Sequence, residues 1–282
     1  MTSLLDQFTS KDLQFTGNKQ KPFLQRYVWA FKKCFPNHLS HDNRRGQLKP
    51  EHEYRKALYD TYNYQLSHME TLIEALKFFD VAEPDVNGLQ VIDIGAGACT
   101  TRFAMAQHWP EMQRHIDYIA IETNDGMQSL GCSLSKIFGW SSTFYLKDIK
   151  ELPPTNFSAT RRHLITLSYV VGQKSVTDSH IKAWGETIKN LANTLDKPVE
   201  VLMTTARGFS SGWHKLYRYL SRENELEITK KNTKPTELKL VHRYPTGHQS
   251  PTFLKNPGSR LNVEMDFWTV TAINTEQRSR SQ

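Results

Sequence analysis

An acid and two spaced glycines, Asp93-Ile94-Gly95-Ala96-Gly97, close the apolar run that starts at Val91 and stand just before a helical stretch. Glycine lets the backbone turn tightly and lets a bound molecule approach without a Cβ in the way. In open sheets of parallel strands, ligands settle outside the carboxyl ends of the strands, where the strand order reverses. A second apolar run, Tyr118-Ile119-Ala120-Ile121, also ends in an acid, Glu122, which Thr123 follows. It lies 27 residues beyond Gly95. A carboxylate at a strand tip can accept two hydrogen bonds from a vicinal diol. A third run, Phe144-Tyr145-Leu146, leads into Asp148 and Ile149, and a fourth, Arg162 to Val171, carries Ser168 and Tyr169 near its end.

These residues need strands to carry them. Apolar runs read as strands at Leu89–Ile94, Tyr118–Ile121, Thr143–Leu146, His163–Leu167 and Val199–Thr204. Helical stretches fall between them near 101–108, 126–137, 178–195 and 211–220. Strands alternating with helices mean βαβ units and a parallel sheet, with right-handed crossovers that place helices on both faces. Two last strand candidates, Glu237–Arg243 and Asn262–Ile273, are joined by a loop alone and predict a closing antiparallel pair. Ahead of the sheet, residues 51–79 read as one long helix, with Tyr54, Leu58, Tyr62, Leu66, Met69, Ile73 and Leu76 at three- and four-residue spacing. The expected division is a basic helical segment over 1–84, an α/β domain over 85–275 and a disordered tail over 276–282.

Thr100 stands where a dinucleotide fingerprint has its third small residue, which argues against that motif. Asp93-x-Gly95-x-Gly97 instead resembles motif I of class I S-adenosylmethionine-dependent methyltransferases, with Cys99 in place of the motif's last glycine. Three further segments are similar to that family in order and spacing: Glu122-Thr123-Asn124-Asp125-Gly126-Met127, the strand and Asp-x-x-x-Leu-Pro run through Asp148, and the strand ending at Ser168. The resemblance covers roughly residues 88–205. It implies a Rossmann-like α/β fold: a mostly parallel seven-stranded sheet with an antiparallel last strand, plus an N-terminal helical extension. It implies S-adenosyl-L-methionine as cofactor and S-adenosyl-L-homocysteine as product. By the same resemblance Asp93, Gly95, Ala96 and Gly97 hold the methionine part. Glu122 and Thr123 hold the ribose, Met127, Asp148 and Ile149 surround the adenine, and Ser168 lies beside the transferred methyl.

The fourth strand does not end in the Asn/Asp-Pro-Pro-Tyr/Phe run of many amino-directed nucleic-acid enzymes. Tyr169 and His214 are the candidates to touch substrate in catalysis; Gln173 could also reach it, and His163 reads as structural. The net charge of +7 and the run from Lys19 to Lys49, in which eight basic residues meet one acid, favour a polyanionic partner. Aromatics interleaved in that run suit base stacking. RNA is therefore the leading acceptor class. The alternatives are a small molecule under a helical lid built with Trp29, Tyr54, Tyr62 and Trp213, and a cofactor-binding sensor or scaffold without turnover. Three scattered cysteines and no metal-ligand spacing predict neither a disulfide framework nor a metal site. No apolar run reaches the roughly 20 residues that cross a bilayer. The first residues lack a signal pattern, so a cytoplasmic location is expected.

Overall fold

The structure, a computed structural model, describes residues 53–273 apart from 141–142, 153–156, 172–174, 196, 224, 233–235 and 240–259. The basic run Lys19–Lys49, Trp29, Gln173 and the tail lie outside the described residues. Helix α1 spans Glu53–Phe78. The α/β part follows as β1 Leu89–Ile94, α2 Thr100–His108, β2 Ile116–Ile121, α3 Asp125–Phe138, β3 Thr143–Leu146 and β4 Arg162–Ser168. It continues with α4 Asp178–Thr194, β5 Val199–Ala206, α5 Ser211–Leu220, β6 Leu226–Asn232, β7 Thr236–Lys239 and β8 Arg260–Ala272.

The strands form one sheet in the order β3-β2-β1-β4-β5-β8-β6, with β7 also paired to β8. Strands β1 to β5 are parallel, and β8 runs antiparallel to β5, β6 and β7. The first five positions follow the Rossmann order, and the chain reverses direction across the sheet between β1 and β4. That switch point is where strand ends splay and a crevice forms. The described sheet has eight strands where seven were expected. The missed one is β6, whose sequence LEITKKN is polar enough to read as loop. It pairs to β8 on one side, and Lys230 and Lys231 suit such an outer strand. The expected closing pair is present as β7 against β8, but β8 lies between β5 and the β6–β7 edge.

Central strands are buried on both faces, so they read as continuous apolar runs. Leu89, Val91 and Leu164 face a core shared with α1, α2 and α3, while Ile92, Ile165 and Val201 face α4 and α5. Helix α1 is part of the first core: Met69, Leu72 and Leu76 are buried with Phe103, Val91 and Leu202. One core thus spans the boundary expected near residue 84. In the N-terminal half of α1 the polar Thr61 and Gln65 are buried along with Ala57, and Thr61 and Gln65 border a cavity.

Candidate functional site

A cavity of about 580 Å³ opens at the switch point. Its floor is the tips of β1, β2, β3 and β4. One wall is α1, through Asp60, Thr61, Tyr64, Gln65 and His68, and the other is Val176, His180 and Trp184 at the start of α4. All ten residues expected to hold the cofactor line it: Asp93, Gly95, Ala96, Gly97, Glu122, Thr123, Met127, Asp148, Ile149 and Ser168. Tyr169 lines it too.

The glycine bend has a backbone reason for each glycine. Gly95 has φ +71, and a Cβ there would sit 2.5 Å from Val170 Cγ2. Gly97 has φ +55, and a Cβ there would meet nothing within 4 Å, so the backbone faces open space. Cys99, which stands where the motif has a glycine, also holds a left-handed φ of +63 as the residue capping α2. Burial pushes its thiol up to about 12, which leaves it protonated and unreactive. From α1, Gln65 Nε2 donates to the Ala98 carbonyl at 2.9 Å and ties the helix to the bend.

The two carboxylates play different parts. Glu122 aims at the bend: its Oε2 accepts from the Gly97 N–H at 2.8 Å and its Oε1 from the Asn124 N–H at 2.8 Å. Each carboxylate oxygen keeps a further lone pair. Asp93 is buried beneath the bend. Its Oδ1 accepts from Thr166 Oγ1 at 2.6 Å and its Oδ2 from the Tyr118 hydroxyl. Burial is the main cause that raises its pKa to about 6. Its oxygens are thus engaged within the protein, and it supports the bend from below.

Further along, Asn124 caps α3 by accepting from Met127 N–H at 2.9 Å. Thr61 lies 3.6 Å from Met127 Sδ. Asp148 caps a short turn of helix by accepting from Lys150 N–H at 3.0 Å, and Ile149 is buried beside it. At the other end, Ser168 Oγ is 2.8 Å from Thr204 Oγ1. Tyr169 adopts φ +58, rare for a bulky residue. Its N–H donates to Thr204 O at 2.8 Å, its hydroxyl lies 3.1 Å from Thr71 Oγ1, and its ring stacks on His68 with centroids 3.6 Å apart at 9°. Burial holds His68 down near 3, so its imidazole is neutral.

His214 is a correction. The buried side of α5 is Gly212, Trp213, Leu216 and Leu220, which turns His214 outward to solvent, and it does not line the cavity. Trp213, expected in a lid, is buried under α5. His163 is fully buried in β4, as a structural reading requires. The residues that sequence reasoning missed are Asp60, Thr61, Gln65, His68 and Thr71. Thr61, Gln65, His68 and Thr71 recur every three or four residues beside the apolar stripe, and a polar row of that kind reads as a solvated face.

No family model and no curated relative matches the sequence. Solved structures are similar in outline. A precorrin-6y C5,15-methyltransferase from Geobacter metallireducens is similar over 71% of this chain and 86% of its own, at 12% identity and a TM-score of 0.43. The YcgJ protein from Bacillus subtilis is similar over 71% and 99%, at 13% identity and a TM-score of 0.45. A protein from Streptococcus mutans described as a methyltransferase and solved with SAH is similar over 73% and 96%, at 10% identity and a TM-score of 0.40. Likeness this distant leaves the geometry of the cavity to carry any reading of function.

Proposed function

We propose that the chain is an S-adenosylmethionine-dependent methyltransferase whose acceptor enters at the β4 end of the cavity. The observation that carries this reading is the pairing of Glu122 with the Gly97 N–H across the tips of adjacent strands, beside a bend that leaves open space. The residues fit the cofactor. The volume lies in the range of about 300–1,000 Å³ usual for small-ligand sites. The Gly95–Gly97 backbone suits the amino-acid part, Glu122 a ribose diol, and Met127 with Ile149 an adenine ring, with Asp148 at its edge. A polarizable thioether suits a ring edge.

When bound, S-adenosylmethionine supplies a methyl group on a positively charged sulfur, with a good leaving group attached. The protein then has to align and desolvate the partners rather than activate one of them. The side chains at the β4 end support this. The Ser168 and Tyr169 hydroxyls are each engaged by a threonine, and burial holds His68 neutral far below the range of a working base. The geometry therefore favours an acceptor whose nucleophilic lone pair is available at neutral pH.

A second reading takes RNA as the acceptor. It rests on the net charge and on the Lys19–Lys49 run. The cavity lining pulls the other way: among the described residues it holds Asp60, Asp93, Glu122 and Asp148 against one amine, Lys147, which pairs with Asp125. Incubation with radiolabelled cofactor and a fractionated extract tests the activity. Label should enter one fraction and stay out when Gly95→Asp replaces the wild type. Tight cofactor binding with no label in any fraction would make the protein a sensor or scaffold. On the RNA reading, neutralising Lys32, Lys33, Arg44 and Arg45 should abolish labelling of RNA while cofactor affinity is kept. Unchanged RNA labelling would reject it.

A further inference from the structure

We infer that His180, in the first turn of α4, selects the base of the cofactor: its Nε2–H donates to a ring nitrogen of adenine while Asp148 accepts from the amino group beside that nitrogen. The inference rests on the methyl-transfer reading and deepens it, since it assigns a specificity-determining residue to an element that lies outside the four strand-tip segments.

The helix cap sets the ring. Thr177 stands just before α4, and His180 is the third residue of the helix. The Thr177 N–H donates to His180 Nδ1 at 3.0 Å, and Thr177 Oγ1 lies 2.8 Å from the same nitrogen. Glu or Gln commonly fills this place in a capping box and would satisfy the N–H equally well. An imidazole differs in carrying a second nitrogen on the other side of its ring. A backbone N–H can only donate, so Nδ1 is the accepting nitrogen and the ring proton sits on Nε2. The cap thus fixes a donor of known identity without help from a ligand. His180 lines the cavity, and among the described residues its Nε2 has no hydrogen-bond partner.

The packing of α4 brings that donor to the base end. Trp184 lies one turn on from His180, on the same face of the helix, with the two rings 6.3 Å apart. Trp184 and Ile181 share a core with Ile149, the residue that follows Asp148. The first turns of α4 therefore pack against the short helical turn that Asp148 caps. His180 and Asp148 rim the same stretch of the cavity, with Ile149 and Trp184 as its apolar lining.

The two rim groups have opposite polarity. Asp148 uses Oδ1 for the Lys150 N–H at 3.0 Å, and its Oδ2 takes no hydrogen bond among the described residues. One acceptor and one donor are the complement of adenine, which sets an amino group that donates beside a ring nitrogen that accepts. Hypoxanthine reverses the pattern, with a carbonyl in place of the amino group and a hydrogen on the neighbouring N1. Against it, carboxylate would face carbonyl and N–H would face N–H. A site built to hydrogen-bond one partner rejects such an analogue strongly, because its own polar groups are left unpaired.

The test is calorimetric titration of S-adenosylhomocysteine and its deaminated counterpart, S-inosylhomocysteine, into the full chain. The wild type should prefer the adenine compound by at least about tenfold. His180→Ala should weaken the adenine compound by about tenfold and narrow the preference by the same factor. His180→Gln keeps both a capping oxygen and a donor, and should retain most of the preference. His180→Glu keeps the cap but replaces the donor with an acceptor, and should lose the preference at least as fully as His180→Ala. Thermal denaturation should place the Gln and Glu variants together, so a difference between them in binding reports the donor and not the cap. Equal preference in these two variants, or a preference unchanged by His180→Ala, would overturn the assignment. Failure of S-adenosylhomocysteine to bind the wild type would instead sink the methyl-transfer reading, and titration of adenosine against inosine would still decide the role of His180.

Discussion

The two ends of the cavity are built from different material. At the β1–β2 end the working parts are backbone: the bend at Gly95–Gly97, its N–H groups, and a carboxylate at the next strand tip that holds one of them. The segments that meet there are short and each is contiguous in sequence. At the β4 end the working parts are side chains. His68 and Thr71 come from α1, and they meet Tyr169 across 98 residues of chain in the hydrogen bond between Thr71 and Tyr169. A backbone cradle tolerates few changes at its glycines and constrains its ligand tightly. A side-chain end can be rebuilt without disturbing the cradle. One fold can thus keep one end of a cavity fixed and vary the other.

Substitutions can break or sharpen this contrast. The largest effect is expected from Gly95→Asp, because any Cβ there runs into Val170 at a left-handed φ. Cofactor binding should be lost, and chemical denaturation should show a loss of at least about 2 kcal/mol. Glu122→Gln should come next, with cofactor affinity down by roughly ten- to a hundredfold by calorimetry, since a charged hydrogen bond is replaced by a neutral one. Gly97→Ala separates stability from binding. Nothing crowds the added methyl, so the fold should lose only about 1 kcal/mol for the left-handed backbone, while affinity falls about tenfold as the methyl enters the ligand's space. At the other end, Tyr169→Phe removes one hydrogen bond to Thr71. It should cost about 1 kcal/mol of stability and leave cofactor affinity within about twofold. A large loss of affinity there would show that the two ends are not separable.

A further effect, on pH dependence and not on binding, lies away from both ends. His163 is buried in β4, and burial holds its pKa down to about 4. The unfolded chain takes up a proton below about 6.5 and the folded chain does not, so stability is full above that pH and falls toward pH 4. Between pH 7.5 and 5 this single group should cost about 2 kcal/mol. His68 acts in the same direction. Asp93 opposes both, because a carboxyl raised to about 6 gains stability as pH falls through 6. Comparison of the wild type with His163→Leu isolates the one contribution: the variant's profile should be flatter by that amount. Parallel profiles would mean that His163 charges as readily in the folded chain.

The same division explains what could be read from the residues alone. The bend, Glu122, Asp148 and the strand carrying Ser168 were legible because each is a local pattern, an apolar run ending in a characteristic turn. The alternation of strands and helices gave the parallel sheet for the same reason. The wall of α1 was not legible. Thr61, Gln65 and His68 run beside the apolar stripe, and nothing local distinguishes a polar residue that lines a cavity from one that faces water. His214 misled because the helix read over 211–220 did not say which of its faces is buried: Gly212 packs against Val171 and His214 falls on the outer side of α5. Strand β6 was missed because a polar outer strand needs its partner β8 to be recognised.

The most direct measurement is isothermal calorimetry of S-adenosylmethionine into the full chain, with Glu122→Gln and Tyr169→Phe alongside. Saturable binding of one molecule per chain, weakened at least about tenfold by Glu122→Gln and little changed by Tyr169→Phe, is the result expected. No binding, or equal binding by wild type and Glu122→Gln, would contradict the assignment of the β1–β2 end to the cofactor.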